Sequence, residues 1–174
     1  TGTTGGEADN ETGYGIFAFN SSDSTGDLTI NAATTTGNKY GINAFNDGTG
    51  ALSITTTGTT TGETDDGIYA FNSSGSTGDL TINAAETTGN DDGIIAINYG
   101  SGALSITTTG TTTGSEDGID ATNYGTDLTI NAATTTGDND GIDANNDGTG
   151  ELSITTTGTT TGETKDGIDV LNSS

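Results

Sequence analysis

Apolar residues along this chain come in short alternating pairs. Gly-Ile-x-Ala-x-Asn sets Ile and Ala two residues apart, and Leu-[Ser/Thr]-Ile does the same with Leu and Ile. A period of two places each pair on one face of an extended strand and the intervening residues on the other. The first pattern occurs seven times, starting at Gly15, Gly41, Gly67, Gly93, Gly118, Gly141 and Gly167, with Val170 in place of Ala in the last copy. The second occurs at Leu28–Ile30, Leu52–Ile54, Leu80–Ile82, Leu104–Ile106, Leu128–Ile130 and Leu152–Ile154. A third stretch is rich in Thr and ends in Gly, as in Thr59–Gly62 and Thr111–Gly114. β-Branched Thr favours a strand, and Gly supplies the corner.

Successive copies of the first pattern are 26, 26, 26, 25, 23 and 26 residues apart. An unbroken period of that size reads as stacked coils. The expected fold is all-β: a parallel β-helix (β-solenoid) of about seven coils of 23–26 residues, three short strands per coil, right-handed by the crossover rule. Length varies only after the motif Asn (Ser21–Gly26 against Asp47–Gly50) and after the Thr stretch (Glu63–Asp66 against Asn90–Asp92). Corners absorb insertions and stacked strands do not, so these are the turns. Thr1–Gly5 resembles the tail of a Thr stretch, and the chain closes at Ser174 just past the seventh motif. Neither end carries an atypical capping repeat. The expectation is one domain over residues 1–174, uncapped at both ends, a segment of a longer array or a fibre subunit.

Composition changes this picture little, but it narrows the partners. Only 27% of residues are hydrophobic, 30 are Gly and the net charge is −23. In an aperiodic chain such values signal disorder. A solenoid needs only a thin apolar column repeated in each coil. There is no Cys or His, and Lys39 and Lys165 are the only basic residues. Disulfides and thiolate metal sites are excluded, and nucleic acid is not a partner because phosphate binding draws on Lys and Arg. No apolar run suits membrane insertion. The setting expected is extracellular or at the cell surface, with self-association (end-to-end or lateral) or another protein or cell-surface ligand as partner.

Four columns of side chains carry the candidate chemistry. Asn20, Asn46, Asn72, Asn98, Asn123, Asn146 and Asn172 end the motif, where inward amides can form a structural ladder between coils. The x positions face outward. Phe17, Phe19, Phe45, Tyr69, Phe71, Ile95 and Ile97 make an apolar stripe there, with Asn43 among them, and a contiguous exposed apolar patch marks an interface. Farther along, the same face turns acidic. Asp117, Asp140 and Asp166 precede the motif Gly, and Asp120, Asp143 and Asp169 follow it. Stacked carboxylates about 5 Å apart repel, so calcium, which prefers oxygen ligands, is the candidate cation. The alternative is a solvated acidic face, and no cofactor is required by the fold. Paired carboxylates also suit glycoside hydrolysis, but here they come without His or Arg or long loops to shape a cleft, so the chain reads as non-enzymatic. Lastly, Thr34, Thr36, Thr59, Thr61, Thr88, Thr111, Thr113, Thr134, Thr136, Thr159 and Thr161 align as outward Thr-x-Thr pairs, with Glu86 interrupting one column. That grid resembles the faces of β-solenoid antifreeze proteins and makes ice binding the alternative function.

Leu-Ser-Ile-Thr-Thr-Thr-Gly-Thr-Thr-Thr-Gly followed by Asp-Gly-Ile-Asp-Ala resembles the passenger repeats of autotransporter and related bacterial surface adhesins. The resemblance covers essentially the whole chain. It implies a right-handed β-helix stalk, export across a Gram-negative envelope, and an adhesive or matrix role. The chain departs from the pattern in having no barrel translocator and in carrying Thr60, Thr112 and Thr160 where the family has an apolar residue, which implies a more polar interior.

Overall fold

The computed structural model describes residues 13–173 and the backbone of Thr3–Gly5. Among the described residues, twenty strands wind into three parallel sheets of seven, seven and six strands. The motif wall stacks Ile16–Asn20, Ile42–Asn46, Ile68–Asn72, Ile94–Asn98, Ile119–Asn123, Ile142–Asn146 and Ile168–Asn172. The leucine wall stacks Leu28–Ala32, Leu52–Thr56, Leu80–Ala84, Leu104–Thr108, Leu128–Ala132 and Leu152–Thr156. The threonine wall stacks Thr3–Gly5, Thr34–Gly37, Thr59–Gly62, Glu86–Thr88, Thr111–Thr113, Thr134–Gly137 and Thr160–Gly162. This is a parallel β-solenoid with three strands per coil. It makes about six turns rather than seven, because Leu-[Ser/Thr]-Ile occurs six times and the seventh motif adds only its own strand.

Register is strict. Ile pairs with Ile, Ala with Ala and Asn with Asn from coil to coil, and Leu pairs with Leu in the next wall. A slip of one residue would turn every Ile and Ala outward, so the two-residue period pins the stack. The core is the column this produces: Ile42, Ile68, Ile94, Ile119 and Ile142 from one wall face Leu52, Leu80, Leu104 and Leu128 from the next, all fully buried. Each such side chain contributes about 1.5–3 kcal/mol when fully buried. In the last turn Ile168 and Val170 are 41% and 49% exposed. Thr3–Gly5 joins the threonine wall beside Thr34–Thr36, as its sequence suggests, while Thr1, Gly2 and Ser174 lie outside the described residues.

The third wall gives the interior its polar character. Thr35, Thr60, Thr87, Thr112 and Thr135 point inward and are fully buried, and their Oγ1 atoms have no hydrogen-bond partner. Their methyl groups explain the motif glycine. A Cβ at Gly67 would lie 2.5 Å from Thr87 Cγ2 and 2.6 Å from the Gly93 carbonyl oxygen. Among the described residues no Gly has a positive φ, so here Gly supplies room at the corner rather than a left-handed turn.

Candidate functional site: an aromatic strip and an acidic column

The x positions of the motif wall form two in-register outward columns. Along Ile68–Asn72, Tyr69 and Phe71 are half-buried while Ile68, Ala70 and Asn72 are buried. The stripe foreseen from the sequence is therefore there, with Phe17 and Phe19 55% and 54% exposed and Ile95 and Ile97 half-buried. It is wider than the x positions alone. Tyr14 and Tyr40, just before a motif Gly, join it on one side, and Tyr99 and Tyr124, just after a motif Asn, join it on the other. Their fixed offset from the motif was the available signal.

Five rings close a circuit: Tyr14–Phe17 at 5.3 Å, Phe17–Phe45 at 6.3 Å, Phe45–Tyr69 at 5.4 Å, Tyr69–Tyr40 at 5.9 Å and Tyr40–Tyr14 at 5.6 Å between centroids. Asn43 pairs in register with Phe17 on one side and Tyr69 on the other, and Phe45 and Tyr40 lie in its own coil. It is expected in solvent, yet it is only 4% exposed and its Oδ1 has no partner. Asn43 is a short side chain in the outward column, and the longer rings that surround it leave it little access to solvent. The strip then continues through Phe45–Phe71, Phe71–Tyr99 and Tyr99–Tyr124. Each such ring pair adds about 0.5–1.5 kcal/mol beyond area burial.

An acidic column edges the strip. The backbone N–H of Asp92 donates to Asp66 Oδ1 at 3.1 Å, that of Asp117 to Asp92 Oδ1 at 2.7 Å, that of Asp140 to Asp117 Oδ1 at 2.9 Å and that of Asp166 to Asp140 Oδ1 at 2.9 Å. Asp66 and Asp92 precede a motif Gly as Asp117 does, so the column begins two coils earlier than the calcium candidates. Burial pushes the carboxyl groups of Asp66 and Asp92 up to about 7, and neighbouring carboxylates add to the shift against the backbone hydrogen bonds. Asp120 rises to about 6, by burial and then by the charges of Asp143 and Asp117. Asp143 is raised by burial and then by the charges of Asp117, Asp169 and Asp140. Tyr40 is raised by burial and by the neighbouring carboxylates of Asp65 and Asp66.

Of the six aspartates expected to serve calcium, the fold gathers three. Asp117, Asp140 and Asp143 offer oxygens within 4.8 Å of one another. Asp166 and Asp169 are exposed in the last turn. The Lys165 ammonium sits 3.3 Å from Oδ2 of the buried Asp140, so one of the three carboxylates already has a cationic partner.

The remaining two columns follow the sequence in most coils, with a gap in the ladder between Asn72 and Asn98, where Asn72 Nδ2 donates to the Gly78 carbonyl instead. The amide ladder links Asn20 to Asn46, Asn46 to Asn72, Asn98 to Asn123, Asn123 to Asn146 and Asn146 to Asn172 through Nδ2-to-Oδ1 bonds of 2.8–3.2 Å. Each of these donors also reaches a carbonyl in its own turn, as Asn98 reaches Gly102. On the threonine wall the outward pairs are in register: Thr36 beside Thr61, Thr61 beside Thr88, Thr113 beside Thr136 and Thr136 beside Thr161. In the companion column Thr3 pairs with Thr34, Thr59 with Glu86 and Thr111 with Thr134, while Thr159 lies just before its strand, which begins at Thr160. Glu86 breaks that column and takes the Thr59 hydroxyl as donor at 3.0 Å. No protein-family model, curated protein or solved structure matches the chain.

Proposed function

We propose that the chain is a non-enzymatic structural and adhesive β-solenoid of the extracellular or cell-surface type, a stalk or adhesin segment that makes contact through its aromatic strip. The observation that carries this reading is the strip itself, eight rings in an unbroken series of contacts along one face of the rod. Internal ladders would hold the coils together without it, and half-exposed Phe and Tyr on a soluble rod are more consistent with an interface than with solvent. The charge selects the partner. With 25 acidic residues against two basic ones, two copies repel as they approach side by side, whereas a surface of basic and apolar groups is attracted and then gripped. Beads coated with the protein should adhere under flow to a film bearing amine and alkyl groups. Phe45→Ser/Phe71→Ser beads should detach several-fold sooner, and equal retention would remove the strip from the reading.

Ice binding is the second reading, favoured by the register of the outward Thr pairs on a parallel wall. Thermal hysteresis by the purified protein, lost in Thr61→Tyr, would establish it, and ordinary ice growth at high protein concentration would end it.

A further inference from the structure

Tyr99 and Tyr124 occupy the same corner in successive coils. Each follows its motif Asn, and the two Asn side chains are bonded to each other at 2.8 Å. The Tyr99 N–H donates to the Asn72 carbonyl and the Tyr124 N–H to the Asn98 carbonyl, both at 2.9 Å, so the two backbones are fixed one above the other. The phenol rings lie 4.9 Å apart between centroids and within 27° of parallel, the closest ring pair on the strip. Both side chains are 45% exposed. The other stacked Tyr pair is less well placed. Tyr14 and Tyr40 are 5.6 Å apart, and the Tyr40 side chain is half-buried beside the carboxylates of Asp65 and Asp66.

We propose that Tyr99 and Tyr124 form a site of oxidative cross-linking, a dityrosine staple between adjacent coils made by a haem peroxidase with hydrogen peroxide. Each phenol gives one electron to the enzyme and its hydroxyl proton to water, leaving two neutral phenoxyl radicals. Their unpaired spin lies partly on the ring carbons beside the oxygen. One such carbon of Tyr99 bonds to one of Tyr124, and the hydrogen on each bonded carbon then moves to its oxygen, restoring two phenols. Two electrons and two protons leave in all, and one peroxide is reduced to two waters. Radicals on freely diffusing phenols must first meet. Here the β-stack holds the pair in contact, an effective concentration far above that of a second protein molecule. Exposure of both rings gives the oxidant access, and both residues lie just past the end of a strand.

The experiment is peroxidase and peroxide treatment of the full chain at low micromolar concentration. The expected product is a monomer lighter by two hydrogens, with dityrosine fluorescence, whose digest yields one cross-linked species containing Tyr99 and Tyr124. Tyr124→Phe keeps the ring and its packing but cannot form the phenoxyl radical, so it should lose the monomeric product. Tyr14→Phe should retain it. The proposal is overturned if no monomeric dityrosine forms, if only intermolecular dimers appear, if the product persists in Tyr124→Phe, or if the link maps to another pair.

Discussion

Asn98 Nδ2 donates to Oδ1 of Asn123 at 2.8 Å, across the gap between two coils of the rod. Asn123 in turn donates to Asn146 at 2.8 Å and to the Thr126 carbonyl at 2.9 Å, and its Oδ1 also accepts from the Gly125 N–H. One side chain thus serves two coils and its own turn while fully buried. Asn123→Ala leaves several of these groups without partners, and an orphaned buried polar group costs about 1–3 kcal/mol. Chemical denaturation should show a loss of about 2–4 kcal/mol on that scale. Asn131→Ala, at an exposed position of the leucine wall, should change little. A loss equal to that control would mean that the ladder is not what ties the coils together.

The inward threonines predict the opposite sign. Thr112 is fully buried with Oγ1 unpartnered, and its Cγ2 fills the space beneath Gly93. Thr112→Val keeps that methyl and removes the buried hydroxyl, so stability should rise by about 1–2 kcal/mol. A fall on denaturant titration would show that the hydroxyl is satisfied in solution.

Lowering the pH from about 7 toward about 4 should stabilise this protein. Asp66 and Asp92 titrate near 7 in the fold, above the ordinary carboxylate value that applies when the chain unfolds. Between those values the folded state holds more protons than the unfolded one, so stability falls as pH rises through that window. The contribution is complete below about pH 4 and is lost above about pH 7. The melting temperature should therefore be higher at pH 5 than at pH 8. Asp66→Asn keeps an acceptor for the Asp92 N–H but cannot ionise, so it should raise the pH 8 value and flatten the profile. A profile that rises with pH would contradict this.

Calcium is tested in the same assay. With backbone N–H groups and Lys165 already on the acidic column, the melting temperature should be the same in chelator as in millimolar calcium. A calcium-dependent increase that is lost in Asp143→Asn would assign the ion to Asp117, Asp140 and Asp143.

The walls were legible because their signal is a period. Ile and Ala two residues apart, repeated every 23–26 residues, admit one stacking register, and the motif Asn sits where that register makes a ladder. The strip was legible only in part. Alternation locates Phe45 and Tyr69 on the outer face, but it cannot say that five rings meet around Asn43, since that depends on side-chain reach across three coils. Tyr99 and Tyr124 were missed because they belong to corners, where the two-residue rule ends. The early start of the acidic column at Asp66 and Asp92 stood in the sequence as Asp-Gly before the motif Ile. The Lys165–Asp140 pair did not, because it joins residues of adjacent coils whose corners differ in length.

The most direct test of the contact face is a salt series by surface plasmon resonance over an immobilised peptide alternating Leu and Lys. At about 1 M salt the Debye length falls to about 3 Å, so attraction between exposed charges is largely screened while apolar contact persists. The wild-type chain should keep a substantial part of its binding at that salt. Phe45→Ser/Phe71→Ser should bind at low salt through charge alone and release at high salt. Identical salt profiles for the two proteins would contradict an aromatic contact face and leave only the acidity of the rod.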